Sequence, residues 1–138
     1  MYGVKKPAAE VDTNHYTYKQ WFQGVYEFIF SKTHVVTITT SYTVAADVYY
    51  IRADSTAGTV TITLPTASGC TGREIVVKKI DASAFNIIID GYSSETIDGA
   101  ANVTFNTQYE SYTLVSNGSN WEILASEGIS MNVVKSLQ

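Results

Sequence analysis

Charge is scarce in this 138-residue chain. Lys and Arg number 9, Asp and Glu 13, and charged residues make up 16% of the total, against roughly 25% in an average globular protein. Low charge with 12% aromatic residues excludes a disordered chain, which is charge-rich and aromatic-poor. The net charge of −4, with no Lys/Arg run, excludes nucleic acid as a partner, since phosphate contacts need a basic patch. One Cys excludes an intramolecular disulfide framework. No stretch reaches the roughly 18 apolar residues of a membrane helix. Met1-Tyr2-Gly3-Val4-Lys5-Lys6-Pro7 has neither the apolar run nor the cleavage site of a signal peptide. The expectation is a soluble protein made in the cytoplasm. Its length suits one domain, or one domain with an arm.

Residues 1–33 differ from the rest. Pro7 biases Lys6 away from helix, so the first residues read as extended. Tyr18, Trp21, Phe22, Val25 and Ile29 then follow at i, i+3, i+4, i+7 and i+11, one face of a helix. Thr13 or Asn14 suits its cap. With Phe28 added, this short aromatic helix carries too much apolar surface to leave in water. It must pack on its own domain or on another chain, and the reading favours another chain. Residues 1–33 are therefore taken as an anchoring arm.

Residues 34–125 read as an all-β domain. Thr, Val, Ile and Tyr supply more than a third of the chain, the residues that favour strands. Eight short strands are predicted, at 35–40, 47–53, 58–64, 74–80, 86–89, 102–105, 111–115 and 120–124. The alternation is cleanest at Val60-Thr61-Ile62-Thr63-Leu64, where apolar and Thr side chains take opposite faces; Pro65 ends that strand. Asp90-Gly91, Asp98-Gly99 and Asn117-Gly118 mark turns, the last a hairpin signal. No repeat of solenoid or propeller period is present. The expected fold is an antiparallel β-sandwich or jelly roll. Residues 126–138 read as a polar tail.

Few residues carry chemistry. His15 and His34 have no Cys or His company at metal-ligand spacing and read as solvated or capping residues. Cys70, in a turn, reads as a free structural thiol. Asp90, Glu95 and Asp98 are close in sequence, and carboxylate-rich loops can hold calcium, but Asp-Gly is first of all turn chemistry. No phosphate loop or nucleophile elbow occurs. No catalytic residue, cofactor or metal is assigned. Trp121 reads as core. Exposed tyrosines can stack on sugars or fill an interface; Tyr92 and Tyr109 are the candidates.

The stretch Tyr49–Leu124 resembles a β-domain of tailed-bacteriophage virion proteins. The resemblance lies in Val60-Thr61-Ile62-Thr63-Leu64-Pro65, Gly72-Arg73 before Glu74–Asp81 with its Lys78-Lys79, Asn86-Ile87-Ile88-Ile89, Thr96-Ile97-Asp98-Gly99, and Tyr112–Ile123 with Asn117-Gly118-Ser119-Asn120-Trp121. It implies a non-enzymatic, often trimeric virion protein of the fibre-tip or capsid-surface type, and no catalytic residue. Three expectations follow. The first is a capsid decoration (cement or head-fibre) protein, docked on capsid or tail proteins through residues 1–33. The second is a tail-fibre or baseplate protein that binds host-surface carbohydrate. The third, and least, is a glycan-cleaving enzyme using a carboxylate pair.

Overall fold

A computed structural model describes residues 34–128. The chain divides at Ser31/Lys32 into two units, and all described residues belong to the second. The predicted helix and its residues Tyr18, Trp21, Phe22, Val25, Phe28 and Ile29 lie outside the described residues, as does His15.

The described residues are all-β, with nine strands: β1 Val35–Ile38, β2 Tyr42–Thr43, β3 Tyr50–Ala53, β4 Val60–Thr63, β5 Glu74–Lys79, β6 Ile87–Asp90, β7 Asn102–Phe105, β8 Ser111–Ser116 and β9 Trp121–Glu127. They form a five-stranded sheet in the order β1-β3-β5-β8-β9 and a four-stranded sheet in the order β2-β4-β6-β7. The two-residue β2 was not anticipated from the sequence, and β9 runs three residues past its expected end.

The expected antiparallel pairing is corrected. β1/β3, β3/β5, β2/β4 and β4/β6 pair parallel. Only β5/β8, β6/β7 and β8/β9 pair antiparallel. From β1 to β6 the chain changes sheet at every strand, so it winds as a coil and returns beside itself in the same direction. A parallel partner needs a crossover of a dozen or more residues; here a strand of the other sheet supplies it in place of a helix. Val35 pairs with Tyr50 and Tyr50 with Val76. Tyr42 pairs with Ile62, and Ile62 with Ile89. The coils thus take 15 and 26 residues in one sheet and 20 and 27 in the other, which is why no fixed period is visible in the sequence. β7, β8 and β9 then turn back antiparallel and end the coil.

Alternation places the core. Val60 and Ile62 of β4, Ile75 and Val77 of β5, and Ile87 and Ile89 of β6 are buried, while Thr61, Thr63, Val76 and Ile88 between them are not. These side chains, with Ile51, Ala53, Phe105, Leu114 and Trp121, form one apolar cluster drawn from both sheets. β5, flanked by β3 and β8, is the central strand of its sheet. Asn117-Gly118 lies in the β8–β9 hairpin as expected. The Asn117 carboxamide oxygen accepts the Ser119 and Asn120 N–H groups, both at 2.9 Å, and Gly118 supplies φ +98°.

The winding sorts the loops to two ends. Residues 39–41, 54–59, 80–86 and 106–110, with Gly128, gather at one. His34 and residues 44–49, 64–73, 91–101 and 117–120 gather at the other. Hydrogen bonds across the loops agree. At the first end Ile80 N–H meets the Ala53 carbonyl and Asp54 N–H the Ile38 carbonyl, both at 2.9 Å. At the second, Gly72 N–H meets the Ser116 carbonyl at 2.8 Å, and the Arg73 guanidinium spans the Ala45 and Val48 carbonyls at 2.7 and 2.9 Å.

Candidate functional site

The most concentrated chemistry lies where the sequence reading assigned nothing. Ile75 and Val77 point inward from β5, and the same alternation carries Lys79 inward, fully buried. A buried ammonium is costly unless paired and hydrogen-bonded. Lys79 is both. Its Nζ donates to Asp81 Oδ2 at 2.9 Å, to Ser83 Oγ at 3.3 Å and to the hydroxyl of Ser55. Asp81 in turn accepts the Ser55 N–H at 2.7 Å and the Ser83 N–H at 2.9 Å. Ser83 Oγ donates to the Ser55 carbonyl at 3.2 Å, and Ser55 Oγ lies 3.1 Å from the Phe85 carbonyl. Burial alone would raise the Asp81 pKa. Hydrogen bonds from the Ser83 side chain, the Lys79 ammonium and the Ser55 and Ser83 N–H groups outweigh it and hold the carboxyl well below the usual range. This clasp ties the 54–59 loop to the 80–86 loop.

A serine hydroxyl against a lysine amine also occurs in nucleophilic catalysis. Here Ser55 and Lys79 have no exposed surface, so no substrate reaches the hydroxyl. The arrangement works as a structural lock. Its signal was present in the sequence: the inward series Ile75, Val77, Lys79 continues at period two to Asp81 and Ser83.

At the other end the lock is uncharged or one-sided. Trp121 is fully buried, as expected, and its indole N–H donates to the Pro65 carbonyl at 3.0 Å. Ser116 Oγ donates to the Ala67 carbonyl at 2.8 Å. The Glu95 carboxylate accepts the Ala67 N–H at 2.8 Å and the Thr66 hydroxyl at 2.8 Å. Asn120 Oδ1 accepts the Thr96 N–H at 2.7 Å. Asp98 and Gly99, both at positive φ, form a tight turn between Ile97 and Ala100, whose N–H and C=O groups bond reciprocally at 2.6 and 2.9 Å. Positive φ at both central residues is the type I′ pattern. The Asp98 carboxylate accepts the Ile123 N–H at 3.3 Å, so Glu95 and Asp98 serve different partners, and among the described residues no three His, Cys, Asp or Glu side chains converge as a metal site.

His34 Nδ1 lies 2.8 Å from Asp47 Oδ2, on the surface. Cys70 is a free thiol whose Sγ donates to the Thr66 carbonyl at 3.1 Å. Tyr92 and Tyr109 are both exposed, at 50% and 59%. The structure does not bring them together: Tyr92 sits in the 91–101 loop at the tryptophan end, Tyr109 in the 106–110 loop at the clasp end. Tyr109 stands at φ +69°, with the Lys78 ammonium 5.6 Å from its ring centroid. Phe85, 49% exposed and passed over in the sequence reading, lies at the same end as Tyr109.

No protein-family model matches the chain, and no curated protein matches its sequence.

Proposed function

We propose that this protein is a non-enzymatic virion structural protein of a tailed bacteriophage, a capsid decoration protein that docks through residues 1–33 and presents its β-unit outward. The two sheets are read as the faces of a sandwich, and the working assembly as a homotrimer. One observation carries the reading. The β-unit closes its core with its own strands, and no buried side-chain nitrogen or oxygen among the described residues lacks a hydrogen-bond partner. Such a module suits rigid display. The sequence's other apolar surface, the helical-spaced series Tyr18, Trp21, Phe22, Val25, Phe28 and Ile29, then serves a capsid or tail partner. Copies on a symmetric particle turn weak contacts into avidity.

The test is deletion of residues 1–33 followed by co-sedimentation with particles. The expected product keeps its sheet circular-dichroism signal and no longer pellets with the particle. A truncated protein that still co-sediments normally overturns the anchor. Immunogold labelling of virions separates head from tail, with gold over the head as the expected result.

A further inference from the structure

We propose that the clasp end carries a saccharide-binding site centred on Tyr109, with Phe85 as a second platform, and that its ligand is a neutral oligosaccharide. The proposal stands independently of the capsid reading.

Tyr109 is a bulky residue held in the left-handed region, where a side chain beyond Cβ is disfavoured and Gly or Asn would fit with less strain. The frame that imposes this is rigid. Tyr109 N–H donates to the Lys79 carbonyl at 2.8 Å, and Lys79 N–H donates to the Glu110 carbonyl at 3.0 Å. The Gln108 side-chain amide donates to the Ile80 carbonyl at 3.3 Å. Lys79 is itself fixed by its buried bonds to Asp81 and Ser55. The clasp therefore holds the backbone that presents Tyr109. It also grips Phe85 through the Ser55 hydroxyl and the Phe85 carbonyl. Strain kept in place by a surrounding network points to a role for the strained residue.

What the network displays is a tyrosine ring with over half its surface in water. Tyr109 and Phe85 are the only large apolar side chains exposed at this end among the described residues. Two rings are too little for a stable protein interface, which covers about 800 Å² on each partner. They suffice for a sugar, whose C–H face stacks on an aromatic ring. Asn106 and Gln108 of the same loop are exposed and uncharged; the Asn106 amide and the Gln108 carboxamide oxygen are the type of group that bonds sugar hydroxyls. Lys78, over the ring, adds a donor. Beside the Lys78 cation stands the Glu110 carboxylate, which accepts the Tyr112 hydroxyl at 3.1 Å; with the two charges balanced, a neutral ligand is favoured over a polyanion.

The experiment is isothermal titration of the full chain with maltohexaose, cellohexaose, chitohexaose and laminarihexaose, on wild type and on Tyr109→Asn, Phe85→Ala and Leu124→Ser. At least one sugar is expected to bind. Tyr109→Asn should weaken it about tenfold or more, equivalent to the loss of one good contact. Because Asn tolerates positive φ, the unfolding midpoint of that variant should stay level or rise. Phe85→Ala should weaken binding about threefold, as a secondary contact within the usual range for interface truncations. Leu124→Ser, on β9 away from the rings, should bind as wild type. The proposal fails if none of the four sugars binds, or if binding survives Tyr109→Asn. It also fails if Tyr109→Asn lowers the midpoint by several degrees, since the ring would then be structural.

Discussion

The two ends of the β-unit solve one problem with different chemistry. Each must fasten long loops that join the sheets. The clasp end does so with an ion pair inside the protein, Lys79 on Asp81, with two serines filling the remaining hydrogen-bond positions. The tryptophan end uses a large ring that fills space and makes one bond, flanked by side chains that cap backbone groups. The first depends on charge and the second on shape. Their failures should differ accordingly.

The largest effect is expected at the shape-based end. Trp121→Ala removes the largest fully buried side chain and leaves the Pro65 carbonyl without its donor. Truncating a buried aromatic costs about 3–5 kcal/mol, a large share of the roughly 5–15 kcal/mol of a whole domain. Urea unfolding should show the midpoint collapse. A loss under about 1 kcal/mol, the scale of a single hydrogen bond, would mean that the cavity closes around the gap.

Next comes Asp81→Asn. It keeps the shape and leaves the Lys79 ammonium buried without its counter-charge, which costs about 3 kcal/mol. The same residue governs the acid response. Its folded pKa lies below the ordinary value of about 3.9, so its contribution is complete above that value and is lost as pH falls below it toward the folded pKa. Wild type should therefore lose stability as the pH falls below about 4, and Asp81→Asn should show a shallower slope. Trp121→Ala should keep the wild-type slope. Identical slopes in wild type and Asp81→Asn would erase the distinction between the two ends.

A smaller effect is expected for Gly91→Ala. An added Cβ would stand 2.2 Å from the Glu95 carbonyl oxygen and 3.7 Å from that of Ala101. Both are backbone atoms, so relief requires the 91–101 loop to shift. Overpacking of this kind costs about 1–3 kcal/mol. Thermal unfolding that is unchanged would show that the loop gives way freely. The mildest change is Asn120→Ala, which leaves the Thr96 N–H unpaired and should cost about 1 kcal/mol.

The strands were legible because alternation is local. Val60 and Ile62 against Thr61 and Thr63 announce which face is buried, whatever strand lies beside them. Pairing direction was not legible for the same reason, since period two is common to parallel and antiparallel ladders. The segments 54–59 and 64–73 are corners between the two sheets, and alternation within a strand does not say which sheet the next strand joins. Lys79 was hidden by residue type: a lysine is read as outward unless the register is followed past Val77. Tyr109 and Tyr92 were found as exposed aromatics, and only the winding shows that they face opposite ways. Phe85 was missed because it sits in a short loop with no pattern around it.

The arrangement of the first and last strands also has a mechanical side. β1 and β9 are the two edges of one sheet and run in the same direction, with His34 at one end of the unit and Gly128 at the other. A pull applied at His34 and at Gly128 is therefore directed along both edge strands. It loads the β1/β3 and β8/β9 ladders in shear, so that many inter-strand bonds must yield together instead of opening one by one as in a zipper. Strands arranged this way resist being drawn out between those two points by more than their modest number suggests.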